Sequence, residues 1–237
     1  MPNIMKIFSF IFITIATAAL LSCDSNLTYR GYINENLYEY LSVNNKQNHT
    51  LVISSSGGRT DISYRIAKDI LNNNNHIIVQ SECMSACSEY ILPAANSIEF
   101  HNNPIVGFHW NSLMNRDQIV RFGGDITHCS TESPDNLKSL YLIKNLNTEF
   151  WKLTEKFLVL ESYEVISKDG ECPWKKRVFE NRMWLPTSSH LKENWGIKFE
   201  GTVCADDFIQ CSKKVNKRWS EGTRIVIGDK VHISKGR

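Results

Sequence analysis

The sequence has little net charge: 27 basic residues stand against 25 acidic ones over 237 residues, a formal balance of +2. That balance implies neither a nucleic acid nor an acidic substrate. Internal repeats and low-complexity tracts are also missing, which removes solenoids and disordered linkers from consideration. The one long apolar run, Ile7 to Leu21, is too short for a comfortable membrane span. None of the seven cysteines is spaced Cys-x-x-Cys, so a structural zinc site is disfavoured and no metal or cofactor is expected. At 42% apolar and 22% charged residues, the chain is long enough for one good core.

The amino terminus reads as an export signal. Lys6 precedes the apolar run, which closes on Leu20-Leu21-Ser22-Cys23 and resembles the bacterial lipoprotein signal. The expectation is a signal peptide over 1–22 and a lipid on Cys23 that holds the mature chain to a membrane. Asp24 resembles an inner-membrane retention signal, which places the chain on the periplasmic side of the cell envelope. Removing 1–22 takes away one basic residue and no acid, so the charge stays balanced.

Six cysteines then remain, Cys83, Cys87, Cys129, Cys172, Cys204 and Cys211, an even set suited to disulfides in an oxidising compartment. Fifteen pairings are open to six cysteines. Proximity puts Cys83 with Cys87, and Cys204 with Cys211, first among those to check. The former is demanding, because side chains four apart on a regular helix run side by side.

Between Leu51 and Trp110, apolar runs alternate with turns and helices. Leu51 to Ile53 reads as a buried strand and Ser54 to Gly58 as a turn. Asp61 to Leu71 reads as a helix with Ile62, Ile66, Ile70 and Leu71 on one face. Ile77 to Val79 is a second strand, after which Ser81 to Ser85 turn into a helix stopped or kinked by Pro93. Ile98 to Phe100 and Ile105 to Phe108 are further strands, the last delivering His109. The order implies crossovers in an α/β domain.

Beyond Trp110 the reading is coarser. Ser112 to Pro134 is polar and reads as a long loop, and Leu137 to Phe157 carries apolar residues at helical spacing. A short helix follows Trp184-Leu185-Pro186-Thr187, then a strand over Lys198 to Val203. The domain is expected over 23–203, with 204–237 as a basic tail containing a hairpin-like segment at Ile225 to Gly228.

Within this order lie the parts of a serine hydrolase. Ser85 sits at a helix start, where unpaired N–H groups and the helix dipole favour developing negative charge. The N–H groups of Ala86 and Gly58 are candidate oxyanion donors, and His109 is the candidate base. Each residue also has a plainer reading: Ser85 as a helix cap, the glycines as a turn, His109 as a core histidine.

Ser54 to Gly58 before a helix, Cys83-Met84-Ser85-Ala86-Cys87 opening another, and Gly107-Phe108-His109 ending a strand together resemble the Clp protease proteolytic subunit family. Its exported bacterial relatives are the nearer likeness, and Trp195-Gly196-Ile197 is similar to the family's closing helix-to-strand turn. The resemblance implies the Clp/crotonase fold of stacked ββα units, here with a disulfide-bearing C-terminal extension. It implies Ser85 as nucleophile, His109 as base, Gly58 and Ala86 as oxyanion donors, and a peptide or protein substrate held as an added strand. Two departures stand out. Ser56 replaces the family's usual proline, and no aspartate occurs between Glu171 and Ala205 to complete a triad. Glu180 and Asn181 are the nearest substitutes; some membrane-associated relatives use lysine as base, for which Lys152 or Lys156 on the long helix is the candidate here. Loss of a triad acid costs about four orders of magnitude in rate. The alternatives to a peptidase are a non-catalytic envelope lipoprotein that binds a partner, and an acyl-CoA enzyme of the crotonase branch, which export disfavours.

Overall fold

Runs of β-branched and other apolar residues, buried on both faces, build the centre of this protein in a computed structural model. It describes residues 26–109, 153–154, 156–158, 160–166, 174–179, 181–195 and 198–236. The expected lipidation site Cys23, the polar loop after Trp110, Cys129, Lys152, Cys172, Glu180 and the Gly196-Ile197 pair lie outside these residues.

Strand β2 (Thr50–Ser55) is buried from Leu51 through Ser55. Such unbroken burial marks a central strand of a parallel sheet covered on both sides, in contrast to the alternation of a half-exposed strand. It pairs in parallel with β1 (Leu27–Arg30) and with β3 (His76–Met84). β3 is nine residues long and divides its other edge. Its first half pairs with β4 (Ser97–Phe100) and its second half with β5 (Ile105–Gly107), all parallel. A strand β9 (Phe199–Gly201) extends the sheet beyond β4. The chain is therefore a mixed α/β protein with a parallel sheet, as its strand–helix alternation implies.

Helix α1 (Glu35–Asn44), which the apolar pattern does not announce, starts on Asn34, whose Oδ1 accepts the N–H of Leu37 at 3.2 Å. Helix α2 (Thr60–Asn73) buries Ile62, Ser63, Ile66, Ala67 and Ile70 and ends on Asn74 in the left-handed region. Leu71 does not share the buried face. It is 47% exposed, because one residue beyond Ile70 turns about 100° round the helix. The helix expected after Ser85 is a π turn over Cys87–Ile91 followed by a 3₁₀ turn over Leu92–Ala94, with Pro93 inside the latter.

Strands β6 (Leu160–Ile166) and β7 (Trp174–Phe179) form a separate antiparallel pair. β8 (Met183–Leu185) leads into helix α3 (Ser188–Asn194), capped by Thr187. The segment from 204 onward, read from its charges as a tail, contains helix α4 (Phe208–Arg218) and the strands β10 (Arg224–Ile227) and β11 (Lys230–Ile233). β10 pairs in parallel with β8, and Cys211, Val215, Ile225, Val226 and Ile227 join the same buried cluster as Ile53 and Val79. The charges sit on the outer face of an amphipathic helix whose inner face is core.

The sulfurs of Cys204 and Cys211 lie at bonding distance, with Cα atoms 5.0 Å apart, and tie the start of this segment to α4. Replacing both cysteines by alanine removes a short loop closure from the unfolded chain. The expected loss is about 2–3 kcal/mol of stability, read as a lower denaturant midpoint of the oxidised protein.

Candidate active site

Ser85 leaves β3 at the point where β5 runs alongside it. Its N–H donates to the carbonyl of Gly107 at 3.0 Å, and its φ of 55° lies in the left-handed region, which costs a serine roughly 1 kcal/mol or more. Three contacts hold that conformation. The hydroxyl of Ser88 donates to the carbonyls of Ser85 and Gly107, at 2.9 and 2.6 Å, and the Glu89 N–H donates to Ser85 O at 2.9 Å. The sulfurs of Cys83 and Cys87 lie at bonding distance on either side of Ser85, Cα atoms 5.3 Å apart. The pairing that a regular helix forbids is available because Cys83 ends a strand and Cys87 opens a π turn.

His109 is delivered by β5. Phe108, one residue earlier, exchanges both main-chain hydrogen bonds with Trp184 of β8, at 2.8 and 2.9 Å, and its buried ring packs edge-on against Trp195. With the backbone so fixed, His109 Nε2 lies 2.5 Å from Ser85 Oγ. Its Nδ1 faces Glu89 Oε1 at 3.5 Å, and the same oxygen accepts the main-chain N–H of His109 at 3.2 Å. Serine, imidazole and carboxyl thus form a continuous line.

Glu89 was not singled out from the sequence. Its signal is a lone acid in the apolar run Ala86 to Ala95, four residues after the serine and so on the same side of the turn. The side chain is 1% exposed, and Oε2 has no hydrogen-bond partner among the described residues. Burial pushes the Glu89 carboxyl above its ordinary value of 4.5, while the positive charge of His109 and the His109 N–H pull it back. Asn181, proposed from sequence as the third member, points elsewhere: its Nδ2 donates to Phe157 O at 2.9 Å and its Oδ1 accepts from Arg224 Nε at 3.4 Å. Lys156 is exposed, with its ammonium over the Phe157 ring.

The glycine turn reaches the serine from the other side. Gly57 has φ +100°, and a Cβ there would lie 2.6 Å from Ser85 Cβ and 2.7 Å from Met84 O, so only glycine permits this approach. Gly58 forms a parallel bridge with Ile33, in which Ile33 N donates to Gly57 O and Arg59 N donates to Ile33 O. That pattern turns the Gly58 N–H away from Ile33. The Ala86 N–H, in the first turn after Ser85, has no preceding helical carbonyl to meet. A cleft of about 360 Å³ opens beside Ser85 and His109, between Ser56, Met84 and Met183. Chemically, the arrangement can take a proton from the serine hydroxyl, hold the resulting imidazolium beside a carboxylate, and offer N–H groups to an oxyanion. Among the described residues no group of three or more His, Cys, Asp or Glu side chains is placed to hold a metal ion.

Neither a family model nor a curated protein matches the chain. Among solved structures it is similar to a mutant of ClpP1 from Listeria monocytogenes, at 20% identity and a TM-score of 0.32, over 41% of this chain. The match takes in 65% of that chain, so the protein spans just under two thirds of its relative's length.

Two outcomes are expected. Glu89→Gln removes an ionisable group whose folded value lies above its unfolded one. As pH rises past 4.5 the unfolded chain releases this proton first, so wild-type stability falls relative to the variant and the gap is complete above the raised folded value. Melting temperatures of the two proteins across acid to neutral pH check the sign. Gly57→Ala forces a methyl group into Ser85 and is expected to cost about 1–3 kcal/mol, measured by denaturant unfolding.

Proposed function

We propose that the chain is a serine peptidase of the Clp/crotonase type, working in the bacterial cell envelope and held there by a lipid on Cys23. The observation that carries the reading is the 2.5 Å contact between Ser85 Oγ and His109 Nε2, continued by Glu89 behind the imidazole. A serine that merely capped a helix would need neither a left-handed backbone nor a histidine on its hydroxyl. A core histidine would be buried, whereas the His109 side chain is 38% exposed at the cleft.

In this reading Ser85 Oγ attacks a peptide carbonyl as His109 Nε2 takes its proton. Glu89 keeps the Nδ1 proton on the far side of the ring and stabilises the imidazolium. The N–H groups of Gly58 and Ala86 receive the oxyanion, which is where most of the rate enhancement of acyl transfer arises. His109 then passes its proton to the leaving amine, and a water deprotonated by the same nitrogen releases the acyl group from Ser85. Glu89 thus supplies the acid that the Glu171 to Ala205 region lacks.

Treatment of the oxidised protein with a fluorophosphonate probe tests the assignment. The wild type is expected to label at one serine, Ser85→Ala not at all, and His109→Ala at least about a thousandfold more slowly. A folded wild type that does not label would point to a binding protein that keeps the groove without the chemistry, and labelling that survives Ser85→Ala would overturn the choice of nucleophile.

A further inference from the structure

We propose that the groove beside Ser85 selects peptide segments rich in acidic side chains, with the acid placed two to four residues from the bond at Ser85. This rests on reading Ser85 as the nucleophile.

The balanced charge of the whole chain hides a local excess. Met84 and Met183 are buried around the cleft next to Ser85, while the exposed Arg182 and Arg218 stand at its rim. Arg218 is also part of the wall of a second cleft, of about 530 Å³, into which Arg30, Lys214 and Lys217 project. The two clefts therefore adjoin, and five cations border them. Among the described residues Glu82 is the one acid lining either, and it is already in contact with Arg218 Nε at 3.2 Å. Glu89 lies buried behind His109, away from both walls.

Neutral groups hold two of these cations, Arg30 and Lys214, in place. Arg30 donates to the Gln80 amide oxygen at 2.9 Å, and Lys214 Nζ donates to the carbonyls of Asn102 and Asn103 at 3.1 and 2.6 Å. A carboxylate brought to these side chains gains charge-assisted hydrogen bonds, bidentate at the guanidinium groups. Methionine beneath and guanidinium above suits a side chain with an aliphatic stem and an acidic tip.

The spacing fixes the register. Gln80, Ser81 and Glu82 of the second cleft and Met84 and Ser85 of the first follow one another along β3 and its end. At about 3.3 Å per residue, Glu82 to Ser85 spans roughly 10 Å. An extended peptide with a carbonyl at Ser85 Oγ therefore lays residues two to four positions away among Arg218, Lys214, Lys217 and Arg30.

Binding measured on Ser85→Ala separates recognition from chemistry. Fluorescence anisotropy would compare a labelled peptide containing glutamates with the same peptide carrying glutamines, at low and high salt. The glutamate peptide is expected to bind about tenfold or more tighter at low salt. Salt should erode that advantage. Adding Arg182→Gln and Arg218→Gln should abolish it, and Arg182→Gln or Lys217→Gln alone, which leave the Glu82 contact intact, should reduce it. Equal binding of the two peptides, or no effect of any of these substitutions, overturns the proposal. So does a single-stranded DNA that competes as well as the glutamate peptide, because the surface would then be a general polyanion site. Phosphonate labelling of the wild type is scored separately. Labelling without charge preference leaves the peptidase reading standing and removes this one, whereas charge preference without labelling overturns the peptidase reading and leaves only a groove that binds acidic peptides.

Discussion

A carboxyl group shut away from water is costly to ionise unless hydrogen-bond donors face it, and in this fold Glu89 faces His109. The distances make the two interdependent: the acid accepts the histidine's own N–H and lies opposite its Nδ1, so moving either residue exposes the other to an unfavourable environment. Burial of Glu89 costs stability at neutral pH, since the unfolded chain ionises it freely. Packing elsewhere has to offset that cost, and Phe108, one residue before His109, packs against Trp184 and Trp195 within the core. Residues that orient the imidazole are thus also the largest side chains of the core.

The serine is held by a second set of constraints. β3 pairs with β4 along its first half and with β5 along its second, so its end is free to turn while its register stays fixed. The turn is a left-handed serine between two joined cysteines, pressed by a glycine that admits no side chain. Main-chain geometry at this point is over-determined, which is how a strained residue persists in a folded protein. Acid recognition draws on a different part of the chain, because Arg182, Arg218, Lys214 and Lys217 come from β8's leading edge and from α4. Helix α4 therefore contributes both to the core, through Cys211 and Val215, and to the wall of the groove.

Much of this was legible in the sequence where local physics decides. The apolar triplets at Leu51 and Ile77 mark the central strands, the spacing of Ile62, Ile66 and Ile70 marks α2, and the two cysteine pairs found are those that proximity along the chain puts first to check. Ser85, at a helix start in the sequence pattern, and His109, at a strand end, meet in the structure. What was not legible depends on contacts between distant segments. Glu89 looks like an ordinary surface acid until the π turn draws it beneath His109. Asn181, near in sequence to where a family acid would sit, is claimed by Phe157 and Arg224. The charges after Lys213 conceal Val215 because only one face of α4 is apolar. Net charge, counted over the chain, says nothing of five cations gathered at one edge of the sheet.

The central claim is that Ser85, deprotonated by His109 with Glu89 stabilising the imidazolium, forms a covalent intermediate. Mass spectrometry of the protein acid-quenched during turnover of an activated ester tests it most directly. The account predicts a single acyl group mapped to Ser85, absent from Ser85→Ala and strongly diminished in Glu89→Gln. An unmodified Ser85 in a natively folded, oxidised protein, or an acyl group carried by another residue, would contradict it.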